Sequence, residues 1–236
     1  FKAIMDNQRY VSELIDCFYA HHYSRIHNKG LIGAFHKFIH RQMDLPIRKD
    51  KNLSIIEVGA GSGIHRRLSK LDWDSYVEVD IRENIESQVS SEALDNRIFE
   101  RITDDATLLK KIQDKKFDLL ISTCLLAHLS EPLTSLENWR RVVTTGGQVI
   151  LYVPCEPGIL LRVFRTFTTK RLLRKKNMPY ELILWNDHIN SWLRMDSLIK
   201  LAFKDDQIKR TFYPFLFPSF NSNLYVLYKI KITKFN

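Results

Sequence analysis

Residues 55–68 read IIEVGAGSGIHRRL: an apolar run, three alternating glycines and then a basic stretch. Glycine removes the side chain and tolerates left-handed backbone, so Gly59, Gly61 and Gly63 describe a turn over which a ligand can lie against bare amides. Placed between a parallel strand and a helix, such a turn suits a nucleotide-like ligand, because backbone N–H groups and the helix N-terminus converge there. The dinucleotide fingerprint G-x-G-x-x-G is not met. Its third glycine falls on Ile64 when counted from Gly59, and on Arg66 when counted from Gly61. A turn of this kind also fits a tight loop that binds nothing.

Further along lie other groups able to do chemistry. Asp80 ends the run YVEVD, at the distance from the glycines where an acid meets the vicinal hydroxyls of a ribose. Asp104 and Asp105, in RITDDATLL, are candidates either for ligand contact or for capping a following helix ATLLKKI. His128, in CLLAHLSEP, and His188, in WNDHINSW, are candidate general bases, with Glu156 and Asp187 as lesser ones that could equally cap helices or pair with nearby cations. His21, His22, His27, His36 and His40 crowd the first 40 residues. His36 and His40 stand one helical turn apart, a spacing compatible with a metal, but no acid or sulfur is placed beside them, and none is expected.

The elements that must position these groups can be read from periodicity. Residues 6–44 are predicted helical, with apolar residues near a 3.6 spacing from Tyr10 to Tyr19, a break at Gly30 and an end at Pro46. From Leu53 short β-rich runs (LSIIEV, SYVEVD, NRIFERI, FDLLIST, GGQVILYV) alternate with helical stretches such as ENIESQVSSEAL and EPLTSLENWRRVV, which predicts a parallel sheet covered by helices on both faces. The nearly continuous apolar runs IIEV and FDLLI suit central parallel strands. IKRTFYPF and NSNLYVLYKIKI follow with no helix between them, which predicts an antiparallel hairpin at the sheet edge.

The motif E-V-G-A-G-S-G, with Asp80, Asp105-Ala106, FDLLISTCLLAHLSEP and RRVVTTGGQVILYVP after it, resembles the class I S-adenosylmethionine-dependent methyltransferases of small-molecule type over roughly residues 50–155. The resemblance implies an α/β fold: a Rossmann-like, doubly wound, mostly parallel seven-stranded sheet with a C-terminal antiparallel hairpin, N-terminal helices and a helical lid. It implies one domain, with a helical cap at 1–48, a cofactor core at 49–155, a substrate lid at 156–200 and the hairpin at 201–236. S-adenosyl-L-methionine is the expected cofactor. Its ammonium and sulfonium favour a carboxylate beside the turn, a role that falls to Glu57. The expected cofactor contacts are Glu57, Gly59, Ala60, Gly61 and Gly63, then Asp80 and Ile81 at the ribose, Asp105 and Ala106 at the adenine, and Thr123. His188 is the preferred base and His128 the second candidate. Tyr19, Tyr23, Arg162 and Arg165 are expected at the acceptor, and no metal is. Fold members that methylate base or amide nitrogens carry Asn or Asp followed by Pro-Pro and an aromatic, where this chain has Ser122-Thr123-Cys124-Leu125, so those acceptors are disfavoured.

Composition narrows the partners. Hydrophobic residues are 44% and charged residues 27%, a globular balance. Cys17, Cys124 and Cys155 are odd in number and widely spaced, which suits reduced thiols and a cytoplasmic location. The chain opens on Phe1 without an apolar leader, so upstream residues are expected but no secretion signal. The net charge is +9, and residues 157–180 hold seven Lys or Arg with no acid. That segment is expected to be a solvated helix, a grip for an anionic acceptor, or a peripheral membrane contact through residues 157–176. Nucleic acid is the least expected partner, because no recognisable RNA module accompanies the charge. No obligate protein partner is evident. The acceptor is expected to be small or lipid-linked, with methylation of an oxygen on a sugar or related metabolite; an RNA or protein methyltransferase, or a silent cofactor-binding relative, are the alternatives.

Overall fold

A computed structural model of the chain describes residues 2–19, 21, 30–44, 52–82 and 97–233. Two helices, α1 (Lys2–Phe18) and α2 (Gly30–Asp44), precede a sheet of seven strands: β1 (Leu53–Val58), β2 (Trp73–Asp80), β3 (Ile98–Thr103), β4 (Phe117–Thr123), β5 (Val143–Pro154), β6 (Gln207–Tyr213) and β7 (Tyr225–Lys231). Between them lie α3 (Ile64–Leu68), α4 (Pro132–Val142), α5 (Ile159–Arg165), α6 (Arg171–Arg174), α7 (Tyr180–Asp187) and α8 (Trp192–Ala202). The predicted helix ENIESQVSSEAL falls outside the described residues. ATLLKKI forms turns, not a helix, and Leu109 within it takes a left-handed φ of 46°.

Strand order is β3-β2-β1-β4-β5-β7-β6. The first five pair in parallel, and β7 runs antiparallel between β5 and β6, as the absence of a helix between the last two strands predicts. β1 and β4 are central and buried on both faces, which is why their sequences do not alternate. One face buries Ile56, Val58 and Leu120 against Leu136 and Trp139 of α4 and Met195 and Ile199 of α8. The opposite face buries Ile55, Leu119 and Ile121 against Ile39 and Met43 of α2 and Leu161 of α5. Pro132 opens α4, where its missing N–H costs nothing. Ser191 caps α8 by accepting the Arg194 N–H at 3.3 Å. The chain leaves β1 toward β2 on one side and returns as β4 on the other. That reversal opens a crevice at the carboxyl ends of β1 and β4, where ligands settle in open α/β sheets.

Candidate functional site

The glycine turn sits at that crevice. Gly59, Gly61 and Gly63 all take left-handed φ, of 75°, 53° and 68°. A Cβ at Gly63 would lie 2.6 Å from Oε1 of Glu78, whereas one at Gly61 would meet nothing within 4 Å. Gly61 is therefore required by its backbone, and the space beside it is open. Strand β2 holds the turn from below, because Tyr76, Glu78 and Asp80 share one face of it at the two-residue period of a strand. The Tyr76 hydroxyl donates to Glu57 at 2.6 Å. Buried Glu78 accepts from Arg66 at 2.8 Å and Arg101 at 2.7 Å, and Arg101 also donates to the Gly61 carbonyl at 2.7 Å. Asp80 accepts the Gly61 N–H at 2.7 Å and the Arg82 N–H at 3.0 Å. Gly63→Ala is accordingly expected to destabilise the fold by about 2 kcal/mol or more, combining left-handed strain with a clash on a buried ion cluster. Chemical denaturation measures it.

Beside the turn lies a cavity of about 180 Å³. Its walls are Glu57 and residues 59–62, Thr123 at the end of β4 and Cys124 just past it, α2, the inner side of α5, and the end of α7. Burial pushes the Glu57 carboxyl up to about 8, against a smaller downward pull from Tyr76. His36 and His40 reach the cavity from α2. His40 meets buried His65 of α3 at 3.0 Å between their Nδ1 atoms, and burial pushes both down, to about 3 and about 4, so the pair is neutral near pH 7. His21 is exposed.

Two imidazoles meet on the same cavity's wall. His128 and His188 pack edge to face with centroids 4.5 Å apart. His188 Nδ1 is 2.5 Å from Oε2 of Glu156, a carboxylate 5% exposed, whose other oxygen pairs with Arg165. His128 Nδ1 is 3.1 Å from Asp187, which also accepts the Tyr19 hydroxyl at 2.6 Å. Burial acts to raise Asp187, but His128 and Tyr19 prevail and hold it below the usual carboxylate range. His128, Asp187 and His188 each offer a ligand atom within 4.8 Å of the others, close enough for a cation; their Nδ1 atoms engage carboxylates instead.

Comparison with known proteins identifies the domain that holds this site. The sequence profile of the methyltransferase domain matches residues 56–151, the stretch from β1 through β5. Residues 56–151 form a class I S-adenosylmethionine-dependent methyltransferase domain. No curated protein matches it. Among solved structures, the N-methyltransferase NodS from Bradyrhizobium japonicum WM9, in complex with S-adenosyl-L-homocysteine, aligns with a TM-score of 0.60 at 11% identity, over 95% of this chain and 99% of its own. The complex of the Haloferax volcanii Trm112 methyltransferase activator with a methyltransferase gives 0.63 at 13%, over 93% and 98%. An S-adenosylmethionine-dependent methyltransferase from Thermotoga maritima gives 0.57 at 14%, over 93% and 100%. At these identities the structures speak for the fold.

The methyltransferase's cofactor, S-adenosylmethionine, fits the residues present. The turn presents bare backbone beside open space at Gly61, and Glu57 supplies an acid on the cavity wall. Of the residues expected at the site, Glu57, Gly59, Ala60, Gly61, Thr123, Tyr19, Arg165, His128 and His188 line this cavity. Gly63, Asp80, Ile81, Asp105 and Ala106 do not. Gly63 instead backs onto Glu78, and Asp80 is bonded to the turn. Ile81 is 72% exposed, Asp105 is exposed and accepts the Thr107 N–H at 2.8 Å, and Ala106 is buried. Arg162 is exposed and does not line the cavity that Arg165 enters, and Tyr23 lies outside the described residues. Motif spacing does not single out Tyr76, Glu78 and Arg101. The first two are accessible through the alternation of YVEVD, which puts them on the Asp80 face. Arg101 is not, since only the β2–β3 register, pairing it with Glu78, brings it to the turn.

Proposed function

We propose that this methyltransferase acts on a hydroxyl oxygen of a small or lipid-linked metabolite of sugar type, with His188 as general base. The observation that carries the reading is that His188, on the cavity wall, is held by buried Glu156, 2.5 Å between nitrogen and carboxylate oxygen. S-adenosylmethionine, when bound, supplies an electrophilic methyl on a sulfonium. A hydroxyl becomes a competent nucleophile only as its proton leaves, so the chain must provide a placed acceptor for that proton. Glu156 holds Nδ1 of His188 as the donor, which leaves Nε2 to take the acceptor's proton and fixes the ring that must aim it. Charge then moves from the acceptor oxygen to the imidazolium, which the Glu156 carboxylate balances. His128, itself oriented by Asp187, packs against the His188 ring and limits its rotation. Glu57 and the Gly59–Gly63 turn hold the methionine part, Asp80 the ribose and Asp105 the adenine.

The confined cavity supports a small acceptor over a protein chain or folded RNA, and Arg165 at its wall suits an acceptor bearing negative charge nearby. Formation of S-adenosyl-L-homocysteine, followed across a panel of sugars, nucleotide-linked sugars and simple amines, tests the assignment. Turnover of hydroxyl acceptors is expected. Turnover of amines alone would overturn the oxygen assignment, and cofactor binding without any turnover would favour a silent relative.

A further inference from the structure

We infer that the outer face of α5, the basic turns that follow it and the loop between β6 and β7 form one surface that docks on an anionic lipid bilayer. Among the described residues no helix is long and apolar enough to cross a membrane, so the docking is peripheral. Ile159, Val163 and Phe167 succeed one another every four residues and are 64%, 47% and 73% exposed. Leu161 and Thr168, on the inner side of the same segment, are buried. The helical path from Ile159 through Arg174 therefore has a buried face and an apolar outer face that the other described residues leave exposed. Arg171, Arg174, Lys175 and Lys176 are exposed at its far end. No acid occurs from 157 to 180, and the acids that flank it, Glu156 and Glu181, pair with Arg165 and Lys170.

The loop adds an apolar tip that nothing in the linear sequence joins to the helix. Phe215, Leu216 and Phe217 are 56%, 67% and 49% exposed, flanked by Pro214 and Pro218. Their exposure is built in. Fully buried Asn223 accepts the Phe215 N–H at 2.9 Å and donates to the carbonyls of Phe217 at 3.0 Å and Ser219 at 2.8 Å, so the loop backbone is held while its side chains project. Loop and helix are bonded to one another, for the Leu160 N–H donates to the Asn221 carbonyl at 2.9 Å, and Gly158 lies so close to the Phe220 carbonyl that a Cβ there would stand 2.3 Å from it.

Charge complementarity selects the occupant. A one-sign basic cluster beside projecting Phe, Leu and Ile matches an anionic headgroup layer over hydrocarbon. The tip offers no side-chain hydrogen-bond donor to a nucleic acid base or a polar protein surface. The inner side of α5 contributes Phe164 and Arg165 to the cavity, so docking would bring the cavity wall to the membrane, where a lipid-linked acceptor resides. The surface stands without that acceptor reading, because vesicle binding is measured without turnover.

Cosedimentation of the full chain with phosphatidylcholine vesicles, and with vesicles containing phosphatidylglycerol, tests this surface. Binding is expected to the anionic vesicles alone and to weaken at high salt. At roughly fivefold per basic residue near the surface, the combined variant R171Q/R174Q/K175Q/K176Q is expected to bind roughly 600-fold more weakly. The second variant, F215S/F217S, is expected to lose at least about tenfold in affinity through the lost apolar insertion. S-adenosyl-L-homocysteine titration checks that both are folded. Equal binding to neutral vesicles, no vesicle binding by wild type, undiminished binding by both folded variants, or binding of RNA in place of vesicles would each overturn the assignment.

Discussion

His188→Ala is expected to lower kcat by roughly 10²–10⁴-fold, the usual contribution of a placed general base. S-adenosyl-L-homocysteine affinity should be little changed, because the role assigned to His188 is toward the acceptor and the glycine turn holds the cofactor. Glu156→Gln tests the positioning group separately. It retains the shape of the side chain but removes the carboxylate that fixes the ring and balances the imidazolium. A smaller loss confined to kcat, with the acceptor KM little changed, is expected. Because Glu156 also pairs with Arg165, its loss leaves a half-buried cation unmatched, and a lowered Tm should accompany it. Steady-state kinetics on a turned-over acceptor checks both. Wild-type kcat in His188→Ala would remove the base assignment, and methyl transfer would then rest on positioning alone.

Glu57→Gln is expected to separate stability from binding. The Glu57 carboxyl lies at about 8 in the folded protein, raised chiefly by burial, against an ordinary value of 4.5. The folded state thus keeps a proton that the unfolded chain releases. Its contribution to stability is fully present below pH 4.5 and is lost as pH rises through 8. At pH above 8 the accumulated penalty is on the order of a few kcal/mol. Glutamine carries no such titration and still accepts the Tyr76 hydroxyl, so the variant should melt above wild type at alkaline pH and close to it near pH 5. Cofactor affinity should move the other way. At alkaline pH, where wild-type Glu57 is ionised, loss of the carboxylate that meets the ammonium is expected to weaken binding by about 10- to 100-fold, the range of a hydrogen bond to a charged group. Thermal melts at both pH values, with and without S-adenosyl-L-homocysteine, read the two effects together. A variant that melts lower than wild type at alkaline pH, or binds the ligand as tightly, would contradict the assignment of Glu57.

The strand pattern, the glycine turn and the terminal hairpin are all legible in the order of the residues, because each is a short-range property of the chain. Period-two and continuous apolar runs report burial, and three glycines at alternate positions report a backbone that side chains would obstruct. The same local reasoning overreaches at ATLLKKI, where apolar spacing suggests a helix but left-handed Leu109 breaks it into turns. It also treats Arg162 and Arg165 alike, although only Arg165 lines the cavity and Arg162 is exposed.

What the sequence by itself determined is the family, the sheet and the place where a cofactor meets bare backbone. Tertiary structure alone decided which groups act on one another. Tyr19 reaches Asp187 across 168 residues, and Glu156 meets His188 across 32. Neither contact leaves a periodic trace in the chain. Such pairs depend on how α1, α5 and α7 pack against the sheet, and packing is settled by the fit of many buried surfaces, each contributing little by itself.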